Sequence, residues 1–440
     1  MIHIITTVSR FTMIFIIAVY TYYCFSALGR PAEERGGLFK GQMVYIYLLL
    51  LNANAVLFLN TNDIRIIIMA VAEAVLIYIT NLIYKKLYSN ANEIVVNNMC
   101  MLLLVGFIML CRLDMGQAIK QIVYAAAALL ITAFVPIMIE RWKMWSRLSY
   151  LYAAIGILGL LCVAVFGKVV YGAKLNISIG PVTLQPSEII KIIFVFFVAS
   201  MLCIYTDLKQ VIITSAISAV FVLILVASKD LGSAMIYFVT FLFMLYVATR
   251  NWTYLFAGFL MGGGAAIAGY HLFSHVRTRV IAWQDPLAVV NDAGYQISRS
   301  LFAIGSGGWF GSGLYEGMPE KIPVVTTDFI FAAISEEMGA VFALCIIFIC
   351  ISCILMFFNI AMQIHERFYK LVALGLAVCY GIQVFITLGG VTKFIPSTGV
   401  TLPLISYGGS SILSTIFIFA VIQGLYKRAG WEAEADNEIK

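Results

Sequence analysis

The sequence predicts an all-α, polytopic integral membrane protein, and two observations carry that prediction. Composition is the first: 62% of the 440 residues are hydrophobic and only 11% are charged, with a mean hydropathy of +0.99. Soluble globular domains do not look like this. The second is the grouping of apolar residues into about thirteen runs, each near the ~20 residues that cross a hydrocarbon core. The runs lack the period-two alternation of a membrane barrel. Backbone amides in lipid must be satisfied internally, so the runs are helices.

In order, the segments are 11–28, 41–59, 64–83, 97–111, 120–139, 147–166, 187–205, 210–228, 232–249, 252–272, 328–357, 370–388 and 401–426. The first is too long for a signal peptide, lacks a small-residue cleavage pattern and is followed by further spans. A soft boundary falls near residue 95, after the charged loop at Lys85 and Lys86. Orientation follows from the cation bias. With the C-terminus cytoplasmic, 15 of the 28 Lys and Arg lie inside, Lys143 and Lys440 among them, against 13 outside. Four of those 13 sit in the loop 273–326, which this orientation places outside.

All nine cysteines lie in or at the ends of apolar runs without metal-type spacing, so free thiols and no metal site are expected. His271 and His275 are four apart but have no evident third ligand. The net charge of +6 suits anionic membrane lipid, and no basic run suggests nucleic acid. No internal repeat or low-complexity linker is present. The acidic tail from Trp431 to Lys440 is the one segment expected to be disordered.

Polar motifs converge on the outer face. The stretch from Asp285 to Gly317 holds Asp285, Asp292, Arg299 and seven glycines. A loop this long between spans is uncommon unless it is functional, and its chemistry suits a lipid-linked, phosphorylated substrate. Glycines 305, 307, 308, 311 and 313 are candidates for backbone-amide nests around a pyrophosphate, although tight turning alone would also use them. Gln185, Pro186, Ser187 and Glu188 open a span with Lys191 following. That is an ordinary helix start, yet intramembrane charges usually face a cavity.

Lys229-Asp230 divides two spans, either as a short loop or as a headgroup contact. Arg112 suits phosphate, or pairs locally with Asp114. Asp328 can cap the helix that carries Glu336 and Glu337. Asp328 and Glu336 share roughly one face of that helix, as residues lining a polar interior do. Glu337 reads as a packing residue. Pro396 to Pro403 and Ser406 to Ser411, with Lys393 before them, break a helix start beside protein or a wet cavity.

The strings LQPSEIIK, KDLGSA, GYQISRSLFAIGSGGWFGSGL, TDFIFAAISEEMG and PSTGVTLPLISYGGSS together resemble the FtsW/RodA/SpoVE family, the SEDS proteins. The resemblance covers about 95–428 and implies the family's ten-helix membrane core. About three N-terminal transmembrane helices (1–94) then precede the core, and an acidic cytoplasmic tail (429–440) follows it. It also implies a peptidoglycan glycosyltransferase of the bacterial cell membrane that polymerises lipid II, the undecaprenyl-pyrophosphate-linked disaccharide peptide. The family's usual partner is a class B penicillin-binding protein.

The implied chemistry needs a carboxylate to deprotonate the acceptor hydroxyl. It also needs cations, or a divalent Mg or Mn, at the departing pyrophosphate. The family's acid typically lies in a second Asp-Pro, six residues before the tyrosine of Gly-Tyr-Gln. Here that position is Val289, so the candidate bases are Asp292 and then Asp285. Candidate substrate-binding residues are Arg112, Gln185, Glu188, Lys191, Arg299, Asp328, Glu336, Lys393 and Ser406. A lipid II flippase, which needs no base, and a non-catalytic scaffold for the penicillin-binding protein are the alternative readings.

Overall fold

The computed structural model describes residues 2–30, 34–88, 91–142, 144–170, 173–179 and 182–438. Lys143 and Lys440, counted above among the inner cations, lie outside them. Three N-terminal helices come first: α1 (Ile2–Gly29), α2 (Gly36–Thr61) and α3 (Ile64–Leu87). Next are α4 (Glu93–Leu113), α5 (Met115–Thr132), α6 (Val135–Arg141) and α7 (Ser149–Phe166). The strands β1 (Lys168–Val170), β2 (Ala173–Ile179) and β3 (Val182–Leu184) follow. The chain continues through α8 (Pro186–Leu202), α9 (Leu208–Ala227), α10 (Leu231–Thr249), α11 (Trp252–Leu272), α12 (Ser274–Gln284) and α13 (Tyr295–Gly307). It ends with α14 (Ile330–Gln363), α15 (Arg367–Val391) and α16 (Gly409–Glu438).

Among the described residues, twelve helical segments are long and apolar enough to cross a membrane. They match twelve of the thirteen sequence segments, with α5 and α6 forming one span broken at Pro136. The thirteenth segment is α8, which has 17 residues. Local chemistry sets several helix starts. Asp63, Asn92, Asp230 and Asn251 each accept a backbone N–H in the first turn of α3, α4, α10 and α11, as helix N-caps do.

Two features depart from the sequence reading. The segment between α7 and α8 forms a three-stranded antiparallel sheet, ordered β1-β2-β3. The tail expected to be disordered continues α16 as far as Glu438.

The chain divides into two compact units. The first comprises Met1–Leu130, Thr278–Met356 and Ile386–Gly408. At its centre is α4, buried without interruption from Ile94 to Cys111. In lipid, helices are held together by close packing and buried polar contacts more than by hydrophobic burial. Here Tyr20 on α1 donates to Asn98 on α4 (2.9 Å), and Asn98 donates to Ser352 on α14 (3.2 Å). Asn97 donates to Gln42 on α2 (3.0 Å), and Asn54 on α2 donates to Glu73 on α3 (3.0 Å).

The second unit comprises Ile131–Arg277, Phe357–Phe385 and Gly409–Lys440. Phe194 and Phe197 of α8, Phe221 of α9 and Tyr237 of α10 form one aromatic cluster in it. Phe357, Tyr380 and Phe419 form another.

Candidate active site

In the first unit, the glycine-rich loop is built against a break in α14. Gly339 has φ 88° inside that helix, so the local helical ladder is interrupted. The loop fills the gap with its own backbone. Ser312 N–H donates to Glu336 O and Gly313 N–H to Glu337 O, both at 2.9 Å. Ala340 and Val341 N–H donate back to Gly308 and Trp309 carbonyls (2.9 and 3.1 Å). A Cβ on Gly311 would lie 2.3 Å from Glu337 O, so only glycine permits this approach. At Gly311 and Gly313 the amides expected for a pyrophosphate nest are occupied by protein, because they and the Ser312 amide donate to backbone carbonyls.

Above this break, Arg112 at the end of α4 pairs with Glu337 at 2.9 Å. Glu320 lies 3.5 Å away and the Tyr315 ring 4.1 Å below the guanidinium. Asp114 instead caps α5, accepting from Gly116 and Gln117 N–H, so the Arg112–Asp114 pair does not form. Glu337 is fully buried and holds α14 to α4, the packing role its position suggested. Glu336 accepts from Met318 N–H at 2.9 Å, while its second oxygen has no partner.

Residues 285–294 close into a compact turn. Asp285 accepts from Ala288 N–H (3.1 Å), and the Val289 carbonyl accepts from Asp292 and Gly294 N–H. Ser298 donates to Pro286 O at 3.0 Å, and Gly294 packs where a Cβ would strike that same carbonyl. Both aspartates are exposed. Asp285 is occupied as a turn cap, whereas no described side chain or backbone group bonds the Asp292 carboxylate. Arg299, one turn into α13, stacks on Tyr295 (5.1 Å).

Asp328 lies in the field of Arg279, both beside Gly399, while the Thr327 hydroxyl donates to Val324 O (3.2 Å). Lys393 has φ 61°, and its carbonyl accepts from Trp283 Nε1 (3.1 Å). Its ammonium is unpaired among the described residues. Ser406 is buried, donating to Thr327 O and accepting from Leu402 N–H. The Gln121 amide clasps the same segment at both sides, through Ser406 O (2.8 Å) and Gly408 N–H (3.2 Å). Ser406 thus braces the non-helical stretch that sequence had read as structural. Sequence inspection missed Arg279 as an organiser, because a lone charged residue in a helix carries no motif.

The second unit holds the remaining candidates. Lys191 donates to Glu188 and Gln383, and Glu188 also accepts from Ser414 (2.9 Å). Gln185 N–H donates to Ser410 at 2.8 Å, and its side chain reaches Ser187 and Asp230 (3.3 and 3.4 Å). Asp230 also accepts from Ser187 (3.0 Å) and Ser233 N–H (3.1 Å). Burial pushes its carboxyl above the ordinary range, against the pull of those hydrogen bonds.

These arrangements define a multi-pass membrane protein with polar, partly non-helical segments in each of its two units. The chain belongs to the FtsW/RodA/SpoVE family, described as "Cell cycle protein", whose model matches residues 95–429. It is 31% identical over 350 residues to peptidoglycan glycosyltransferase RodA of Mycobacterium bovis, covering 72% of this chain and 74% of that one. It is 33% identical over 320 residues to the probable peptidoglycan glycosyltransferase FtsW of Saccharophagus degradans, covering 69% and 81%.

Among solved structures, a chain of a peptidoglycan synthase complex superposes with a TM-score of 0.67 at 22% identity, covering 78% of this chain and 99% of that one. Thermus thermophilus RodA does so at 0.59 and 22% identity, covering 77% and 98%. The fold is therefore that of the SEDS membrane core, in a multi-pass protein of the bacterial inner membrane.

Proposed function

We propose that the chain polymerises lipid II at the outer membrane face. The coarser statement, that it is a glycosyltransferase, rests on its relatives. In the proposed reaction, the acceptor GlcNAc 4-hydroxyl gives its proton to a carboxylate as the oxygen attacks MurNAc C1 of the donor. The C1–oxygen bond to undecaprenyl pyrophosphate breaks with inversion, and the pyrophosphate leaves as the anion.

Asp292 is the favoured base, and one observation carries the choice. Its carboxylate is exposed and unengaged, whereas Asp285 is bonded to Ala288 N–H. Arg299 and Lys393 are the favoured partners of the departing charge, since neither faces a carboxylate among the described residues. Arg112 and Lys191 are internally paired and are not assigned to the departing charge. Among the described residues no three His, Cys, Asp or Glu side chains converge, so no step is assigned to a divalent cation. A class B penicillin-binding protein is the proposed partner, supported by the likeness to a synthase complex.

Val289, apolar where the resemblance places an acid, favours one further reading: a scaffold or lipid II flippase that lacks polymerisation. The test is polymerisation of lipid II by purified protein, with and without a class B partner, for wild type, Asp292→Asn and Asp285→Asn. Glycan chains from wild type, cut on the order of a hundredfold by Asp292→Asn, support the assignment. Loss with Asp285→Asn alone moves the base to Asp285. No chains from folded wild type with an active partner would sink the polymerase reading.

A further inference from the structure

The family match begins at residue 95, which leaves α1 to α3 outside it. The outer end of α1 nevertheless reaches the glycine-rich loop. Arg10 Nη1 donates to Gly311 O at 2.7 Å and to Ser312 O at 3.4 Å. The Phe11 and Phe310 rings meet at 5.7 Å. Thr6 Cγ2 lies 3.3 Å from where a Gly313 Cβ would stand, and His3 lies 3.0 Å from Glu316. Four consecutive contacts along two turns of one helix thus bear on residues 310–316.

The helix is itself anchored. Farther along, Tyr20 and Cys24 bond Asn98 of α4, and Asn98 bonds Ser352 of α14. The loop is therefore held on one side by the break in α14 and on the other by α1.

We propose that α1 is a built-in positioning element for the glycine-rich loop, with Arg10 as its positioning residue. The loop carries five glycines between 305 and 313 and gains little rigidity from its own side chains. A guanidinium donating to two successive carbonyls fixes their direction, and with it the strand of amides that supports Glu336 and Glu337. The kinetic half of this inference rests on the polymerase reading; the mechanical half does not.

The experiment compares full-length wild type, Arg10→Ala and Arg10→Lys in nanodiscs, by amide hydrogen exchange and by lipid II polymerisation. Arg10→Ala is expected to speed exchange in peptides covering 308–316 about tenfold, while α4 keeps its protection. It should lower kcat on the order of tenfold with KM little changed, and Arg10→Lys should recover much of both. Unchanged loop exchange overturns the proposal. So does exchange that rises throughout α4 and α14, which would make Arg10 a general fold contact. A loosened loop with unaltered kcat in an active enzyme overturns the positioning role. If wild type makes no chains, the polymerase reading falls, and selective loosening of the loop still supports the clamp.

Discussion

Single charged residues here divide into those that hold the fold and those left open to a substrate. Arg112 and Glu337 belong to the first kind, since both are nearly or fully buried and face each other. Removing one partner of such a pair strands the other in a medium that solvates it poorly. Asp230 is a different case, buried at the start of α10 among hydroxyls and an amide rather than a cation. Its carboxyl is raised chiefly by burial. A carboxyl with a raised folded-state pKa contributes stability that is complete below its unfolded value and is lost as pH climbs through the raised one. This group should therefore weaken the fold as pH rises from ~4 toward neutrality. Asp230→Asn keeps an oxygen to cap α10 and never ionises. It is expected to flatten that part of the pH profile and to melt a few degrees higher near neutrality, on the order of 2–4 °C. Thermal melts of both proteins between acid and neutral pH check this; parallel curves would show that the carboxylate is not strained by its site.

Among the elements, α14 and the glycine-rich loop form one device. The helix breaks at Gly339, and the freed carbonyls of Glu336 and Glu337 are taken up by loop amides. Gly311 has φ +77° with no room for a Cβ, whereas Gly305, in the last turn of α13, has nothing within 4 Å. Gly311→Ala should therefore cost about 2–3 kcal/mol through backbone strain and collision. Gly305→Ala should be neutral or stabilise by up to ~1 kcal/mol through helix propensity. Denaturation of the two variants side by side measures the contrast, and equal effects would refute the loop–helix pairing. The spans were legible in sequence because ~20 apolar residues leave no other structure in lipid. The break at Gly339 was not, since one glycine in an apolar run looks like ordinary packing. The strands β1 to β3 were too short to stand out, though Leu175 to Ile179 alternates apolar and polar. The candidate site was legible as motifs, but motifs do not show which charges are already paired. Arg112 and Lys191 proved to be paired, while Arg299 and Lys393 face no carboxylate among the described residues.

For the molecule as a whole, parity and contact agree. If α8 crosses as well as the twelve longer helices, the two ends of the chain lie on opposite sides, with the N-terminus outside if the C-terminal Lys427 and Arg428 are inside. Within each unit, polar contacts at the helix ends then join residues assigned to the same side. On the outer side of the first unit, Arg10 meets Gly311, Arg112 meets Glu337 and Gln121 meets Ser406. On its inner side, Lys85 meets Glu93 and Asn97 meets Gln42. In the second unit, Gln185 and Ser187 meet Asp230 outside. Inside, Lys427 meets Glu140 and Arg428 meets Glu366. One span too many or too few would place partners of the same contact on opposite faces of the bilayer, which no folded chain can accommodate. The contacts thus support the span count, whereas which face is the outer one rests on the modest cation bias, 15 against 13. Lys321 and Lys209 are exposed reporters of the two faces. With Cys162 and Cys203 replaced by serine, a membrane-impermeant maleimide applied to intact cells should label Lys321→Cys. It should label Lys209→Cys only after the cells are permeabilised. Reversed labelling would invert the whole assignment and place Asp292 on the cytoplasmic side, where an outer-face polymerase could not use it.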